Sequence, residues 1–337
     1  MQYIPYLERA GLDVEVFSFF QADYVKALST GHSKLRFVTG STWRRLKQLR
    51  QTRHADLVWV EYEAVPWLPW LLEARLIGSD SKIVSDYDDA IYHRYDLHRS
   101  LTVRSLLGGK IGKVMKSSRL VIAGNPYIAQ HATEAGTKRI EIVPTVLDTA
   151  AYQPKLRDCR GAVPVIGWIG SPSTWPFVLP VANILSDLVK EGHAFVTLIG
   201  AGPRADEYPR FNSLVWSEAE EVSMIQQMDI GIMPLPDTPW SRGKCGYKLI
   251  QYMACGLPVI ASPVGVNSEI VEHGVNGFLA STDAEWRDAL NALLKDADLR
   301  RRMGAAGRRK VEAQYSLQVW GPRVANMLKD VAEGRSG

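Results

Sequence analysis

Residues 229–262 read DIGIMPLPDTPWSRGKCGYKLIQYMACGLPVIAS. An apolar strand-like run, DIGIMPL, leads into a polar loop, and YKLIQYMAC follows with helical period until Gly256 and Pro258 stop it. A second short apolar run, PVIAS, comes next. A strand, a crossing helix and a strand in that order form a unit of parallel sheet, which places the chain in the α/β class.

Working outward, the same alternation fills most of the sequence. LDVEVFSFF (12–20), ADLVWVEY (55–62), KIVSDYD (82–88), RLVIAG (119–124) and IEIVP (140–144) read as strands separated by helical segments. The series restarts with PVIGWIG (164–170), AFVTLIG (194–200), SLVWS (213–217) and then the opening stretch, closing with GFLAS (277–281). Two doubly wound units in tandem are expected, joined through DTAAYQPKLRDCRGAVP (148–164), where proline and mixed polar residues interrupt the period. The boundaries set on this reading are 1–150, 151–315 and a C-terminal helix in 316–337 returning to the first unit. The chain opens on a helix-like QYIPYLERAG, whereas such a unit ordinarily opens on a strand feeding a glycine-rich turn. A first strand and its loop are therefore expected to be absent.

Composition narrows the function classes. A chain of 337 residues with 46% hydrophobic content buries a real core, and a net charge of +4 is too mild to announce nucleic acid. Three cysteines without a C-x-x-C pair, and His93 and His98 without an H-E-x-x-H context, argue against a metal site and against a disulfide framework. Glu8 and Arg9 fall where a signal peptide needs an apolar run, so a cytoplasmic location is expected. Tyr24 to Ala55 contains no acidic residue, and STWRRLKQLRQTRH within it puts cations opposite Trp43, Leu46 and Leu49. That pattern fits either a solvated helix or a peripheral contact with an anionic membrane surface.

Candidate site residues lie where strands run out into loops. After PVIGWIG, Gly170, Ser171 and Ser173 offer N–H groups and hydroxyls at a helix start, a cradle for phosphate. In the opening stretch, Lys244, Cys245, Gly246, Tyr247, Lys248 and Gln251 bracket a helix N-terminus, whose partial positive charge adds to that of the lysines. Spacings of four and seven put Lys244, Lys248 and Gln251 on one face once the helix has begun, pointing into the same cleft. A diphosphate is the ligand such an arrangement favours. In the first half, SDYDDAIYH crowds Asp86, Asp88 and Asp89 at a strand end with His93 close behind, groups that serve as bases, hold hydroxyls or cap the next helix.

GYKLIQYMACGLPVIASPVGVNSEIVEHGVNGFLAST closely resembles the C-terminal signature of the group 1 glycosyltransferases, glycosyltransferase family 4. SDYDDAIY, AGNPYIAQHA, IEIVPTVLD and LIGAGP extend the resemblance over nearly the whole chain. It implies the GT-B fold, two facing Rossmann-like domains with a cleft between them. It also implies a retaining transfer from a nucleotide-diphosphate sugar to a saccharide, lipid-linked or other hydroxyl acceptor, the nucleotide sugar being a co-substrate with no further cofactor or metal. Asp88, Asp89 and His93 would then serve the acceptor, and Gly170, Ser171, Ser173 and residues 244–248 with Gln251 the donor. Many members carry two glutamates at the positions held here by Gly243 and Gln251, a departure that shifts weight from sugar hydroxyls towards phosphate. A nucleotide-sugar-binding protein without turnover and a sugar-nucleotide epimerase are the alternatives.

Overall fold

The computed structural model describes residues 2–19, 34–78, 81–154 and 163–335. They form two compact units: Met1–Val143 with Gly321–Gly337, and Pro144–Trp320. The sequence reading set these boundaries at 150/151 and 315/316. Most of the joint stretch, including Cys159, lies outside the described residues.

Unit 1 carries four parallel strands in simple succession, β1 (Val58–Glu61), β2 (Ile83–Tyr87), β3 (Leu120–Ala123) and β4 (Ile140–Ile142). β3 is buried at every position, as a strand covered on both faces must be. The expected strand at 12–20 does not form: residues 12–18 join no ladder, Val16 is exposed, and Phe20 lies outside the described residues. Its apolar alternation is real, but a strand needs a neighbour, and Phe17 instead gives its carbonyl to the Arg45 side chain at 2.8 Å. The C-terminal helix, Leu317–Glu333, belongs to unit 1 from Gly321 onward. Gly321 lies flat on the Tyr6 ring, and Lys329 donates to the Ala10 carbonyl at 3.0 Å.

Unit 2 holds six parallel strands: β5 (Val165–Ile169), β6 (Phe195–Ile199), β7 (Asn212–Leu214), β8 (Ile230–Met233), β9 (Val259–Ala261) and β10 (Gly277–Leu279). Their order is β10-β9-β8-β5-β6-β7. The chain therefore builds outward from β5 in one direction, returns, and builds outward from β8 in the other. The reversal lies between β5 and β8, and in open α/β sheets ligands bind beyond the carboxyl ends of the two strands that flank such a reversal.

The helix Tyr247–Ala254 lies over this junction. Tyr252 packs on Gly231 of β8 and accepts the Ile169 N–H of β5 at 2.9 Å, so one side chain holds the helix to both strands. At its far end Gly256 takes φ +75, the left-handed stop expected from the sequence. Gly304 of the helix Ala297–Gln314 backs directly onto the Gly256 carbonyl, leaving no room for a Cβ.

Candidate functional site

The loops after β5 and β8 leave neighbouring strands at the strand reversal. Gly170 has no space for a side chain, because a Cβ there would strike the Trp168 ring and the Thr174 hydroxyl. The hydroxyls that follow bond among themselves: Ser171 Oγ to Ser173 Oγ at 2.8 Å, and the Ser171 N–H to Thr174 Oγ1 at 3.2 Å. The loop enters a 3-10 turn, Trp175–Phe177, and the long helix begins only at Leu179. The expected helix-start cradle is thus a hydroxyl-lined turn, with Ser171 and Ser173 both exposed.

In the second loop, Thr238 caps a short helix, Pro239–Arg242, and Arg242 pairs with Asp237 at 2.6 Å. Residues 243–246 are not helical, and Gly246 at φ +67 turns the chain into the helix Tyr247–Ala254. A side chain at Gly246 would collide with Ile270 as well as strain the backbone. This start overturns one expectation. Lys244 lies ahead of the helix, so it shares no helical face with Lys248 and Gln251. Its ammonium sits 5.8 Å from the Trp240 ring centroid, while that of Lys248 sits 5.7 Å from the Trp168 ring. Trp168 is the ring that also closes over Gly170, so Lys248 and the β5 loop are brought together. Cys245 and Gly246 are buried; Tyr247 is exposed.

Gln251 does not point into open space either. It is buried, and its Nε2 donates to Glu221 Oε1 at 2.6 Å and to the Tyr152 hydroxyl at 3.1 Å. Glu221 also accepts from Tyr152 and, at 2.7 Å, from Trp216 Nε1, and Tyr152 is bonded to Tyr247. Burial pushes the Tyr152 hydroxyl far above its ordinary pKa, reinforced by the Glu221 carboxylate, so it stays a neutral donor. Glu221 therefore supplies a carboxylate beside Gln251, the position at which the sequence resemblance implies a glutamate. The sequence reading missed this cluster, because its residues come from three separate segments with no spacing to connect them.

In unit 1 the expected acidic residues lie at the end of β2 and just beyond it, each with partners of its own. Asp88 accepts from the Tyr62 hydroxyl. His93 is held on both ring nitrogens, Nδ1 by Asp96 at 3.0 Å and Nε2 by the Tyr127 hydroxyl at 3.0 Å. Asp89 begins the turn in which its carbonyl accepts the Ile91 N–H at 2.8 Å. Asp86 is different in kind: burial, followed by the nearby Glu61, pushes its carboxyl up to about 7. An acid neutral in the fold and ionised in the unfolded chain weakens the fold as pH rises from its ordinary value to about 7. Asp86→Asn is accordingly expected to raise the melting temperature at pH 8 and to leave it unchanged near pH 3, the gain growing in between. A gain that is flat across a series of thermal melts over this range would contradict the assignment.

Among the described residues no group of His, Cys, Asp and Glu is placed to hold a metal, and no helix is long and apolar enough to cross a membrane.

Residues 164–296 match the protein family described as Glycosyl transferases group 1. A D-inositol 3-phosphate glycosyltransferase of Nocardia farcinica is 30% identical over 197 residues, which cover 50% of this chain and 43% of that relative. The match thus spans less than half the relative's length. Among solved structures, sucrose-phosphate synthase of Thermosynechococcus elongatus superposes with a TM-score of 0.68 at 16% identity, covering 90% of this chain and 81% of that one. The HepE protein of Anabaena, solved with UDP and glucose, gives 0.64 at 19% identity, with 85% and 80% covered.

Proposed function

We propose that this chain, whose residues 164–296 match the group 1 glycosyltransferase family and whose fold is of the GT-B type, transfers a sugar from a nucleotide-diphosphate sugar to a hydroxyl acceptor. The observation that carries the reading is the strand reversal between β5 and β8, with Lys248 and the Gly170 turn gathered at its carboxyl edge. Unit 2 binds the donor there. The positive end of the helix Tyr247–Ala254 and the two lysines neutralise charge developing on the departing diphosphate, the kind of electrostatic stabilisation that usually dominates catalysis. Asp88 and Asp89 receive the acceptor hydroxyl in unit 1, with His93 as their neighbour, and transfer proceeds with retention at the anomeric carbon and without a divalent metal. A saccharide or a lipid-linked alcohol fits this chemistry.

The reading predicts that a panel of nucleoside diphosphates contains one, with UDP and GDP the first to try, that raises the melting temperature. A ligand at about 100 times its dissociation constant adds about 2.7 kcal/mol. The corresponding nucleotide sugar should then be consumed with an acceptor present, at a rate unaffected by EDTA, giving a product whose anomeric proton coupling matches the donor's. Stabilisation by no nucleotide in the panel would sink the donor site; a rate abolished by EDTA would sink only the metal-free mechanism.

One observation favours a second reading, binding without turnover. Gly243 is buried and offers the sugar only backbone where relatives carry a carboxylate. Tight diphosphate binding with no consumption of any nucleotide sugar across a broad acceptor panel would select it.

A further inference from the structure

We infer that Tyr152 is a positioning residue for the donor site: its hydroxyl locks the segment 147–154 to the helix Tyr247–Ala254, so that a bound nucleotide orders both together. The inference rests on the donor reading above and adds to it a residue that acts through its neighbours. The segment has a particular place in the chain, because the polypeptide enters unit 2 at Pro144 and leaves it after Trp320. A phenol offers one proton and two lone pairs. The Tyr152 hydroxyl gives its proton to Glu221, accepts from Gln251 Nε2 at 3.1 Å and has Tyr247 as its third partner. Tyr247 opens the helix and Gln251 follows one turn later, so one buried hydroxyl fixes two of the helix's side chains. The buried ring alone would anchor the segment in the core; the hydroxyl adds the link to the helix.

The backbone of the same segment is tied to the other end of that helix. Arg308, on the helix Ala297–Gln314, donates to the carbonyls of Thr149 at 2.9 Å, of Tyr152, and of Ala254 at 2.6 Å. Ala254 is the last residue of the helix, so the guanidinium also meets the negative end of its dipole. Pro154 then packs beside Gly256, and Gln226 Nε2 donates to the Gln153 carbonyl at 2.7 Å. The stretch before the chain leaves unit 2 joins the same assembly. The Leu147 N–H donates to the Tyr315 carbonyl at 3.2 Å, and the Leu147 carbonyl accepts the Leu317 N–H at 2.9 Å. Gln318 donates to Asp148 at 2.5 Å and accepts from the Thr149 hydroxyl at 3.0 Å. The helix that carries Lys248 in its first turn is thus bonded to the segment at its start through Tyr152 and at its end through Arg308. A ligand that orders the start of the helix lowers the cost of ordering the segment, and the effect is reciprocal.

Amide hydrogen exchange on the full chain, with and without UDP or GDP, reads peptides from 147–154 and from 247–254. Nucleotide is expected to slow exchange in both. Tyr152→Phe, which keeps the ring, should abolish the slowing in 147–154 and weaken binding about tenfold, a coupling of ordinary size between two sites. The loss should be the same for mono- and diphosphate, because Tyr152 acts on the helix and not on a phosphate. Arg308→Gln should have the same two effects from the far end of the helix. Far-UV circular dichroism checks that both variants fold, and Tyr152→Phe carries the test if Arg308→Gln does not. A purely structural tyrosine would lower the melting temperature of the free protein and leave nucleotide affinity and the nucleotide-induced slowing in 147–154 as they are; that result overturns the inference. So does nucleotide binding to the unmutated chain that slows exchange in 247–254 alone, with the donor reading left standing. Absence of binding by any nucleoside diphosphate removes the donor reading and this inference with it.

Discussion

Replacing Lys110 by methionine is expected to lower the stability of unit 1 by about 3–5 kcal/mol, the cost of leaving buried charge without its partner. Lys110 lies almost fully buried, and its ammonium reaches Glu63 at 2.6 Å, Glu73 at 3.2 Å and the Val65 carbonyl at 2.6 Å. Both carboxylates are as deeply buried as the lysine. Burial drives the Glu73 carboxyl upward, against the pull of Lys110 and a 3.0 Å hydrogen bond from the Ala64 N–H. Glu63 has further support from the Tyr95 hydroxyl at 2.8 Å and from Arg94 at 3.2 Å. Removing the lysine leaves Glu73 without a cation and Glu63 with Arg94 and the Tyr95 hydroxyl as partners, and a urea titration followed by circular dichroism should show the loss. Methionine at 110 combined with Glu63→Gln and Glu73→Gln should recover much of it, since a buried ionic cluster exchanged whole is often neutral. An unchanged unfolding midpoint for Lys110→Met alone would mean that water reaches the cluster. The same residues fix the exit of β1, because Glu63 and Val65 follow that strand directly, so the cluster also sets the loop that presents Trp67.

The contrast between what was and was not legible follows from range. Burial on both faces leaves a local mark, so β2, β3, β5, β6, β8 and β9 could be read as apolar runs between turn residues. LDVEVFSFF carries an equally good local mark and forms no strand over its described residues, because pairing is supplied by another segment. Strand order is non-local for the same reason: the sequence implied two parallel sheets, and only the ladder β8-β5 revealed where the second one reverses. Within the site, Gly256 was legible as the helix stop it makes at φ +75. The helix start at Tyr247 was legible as well, but Lys244 falls ahead of it, beyond the turn that Gly246 makes at φ +67, so the face expected to join it to Lys248 and Gln251 does not exist. The ionic cluster at Lys110 and the Glu221 cluster draw on residues far apart in sequence, and no spacing rule connects them.

Lys248→Ala is expected to weaken nucleoside diphosphate binding about 10- to 100-fold, the range for losing a hydrogen bond made by a charged group. Lys248 is half-buried in the first turn of a helix whose N–H groups face the same edge, and its ammonium lies over the Trp168 ring. Partial removal from water strengthens its attraction for phosphate, and the helix N-terminus adds to it. Lys244, equally half-buried, lies in the non-helical junction over the Trp240 ring and outside that first turn, so Lys244→Ala should cost less because the helix N-terminus does not reinforce it. Calorimetric titration with UDP or GDP against the matching monophosphate separates a phosphate role from general damage: the Lys248 effect should fall mainly on the diphosphate. Lys248→Arg should restore part of the affinity, keeping charge on a longer and flatter head. Equal losses for mono- and diphosphate, or a larger loss at Lys244 than at Lys248, would remove Lys248 from the phosphate site. Glu221→Gln then distinguishes the neighbouring cluster. Gln251 and Tyr152 donate to that carboxylate, so neutralising it should loosen the helix Tyr247–Ala254 and weaken mono- and diphosphate alike, whereas Lys248 acts on the second phosphate.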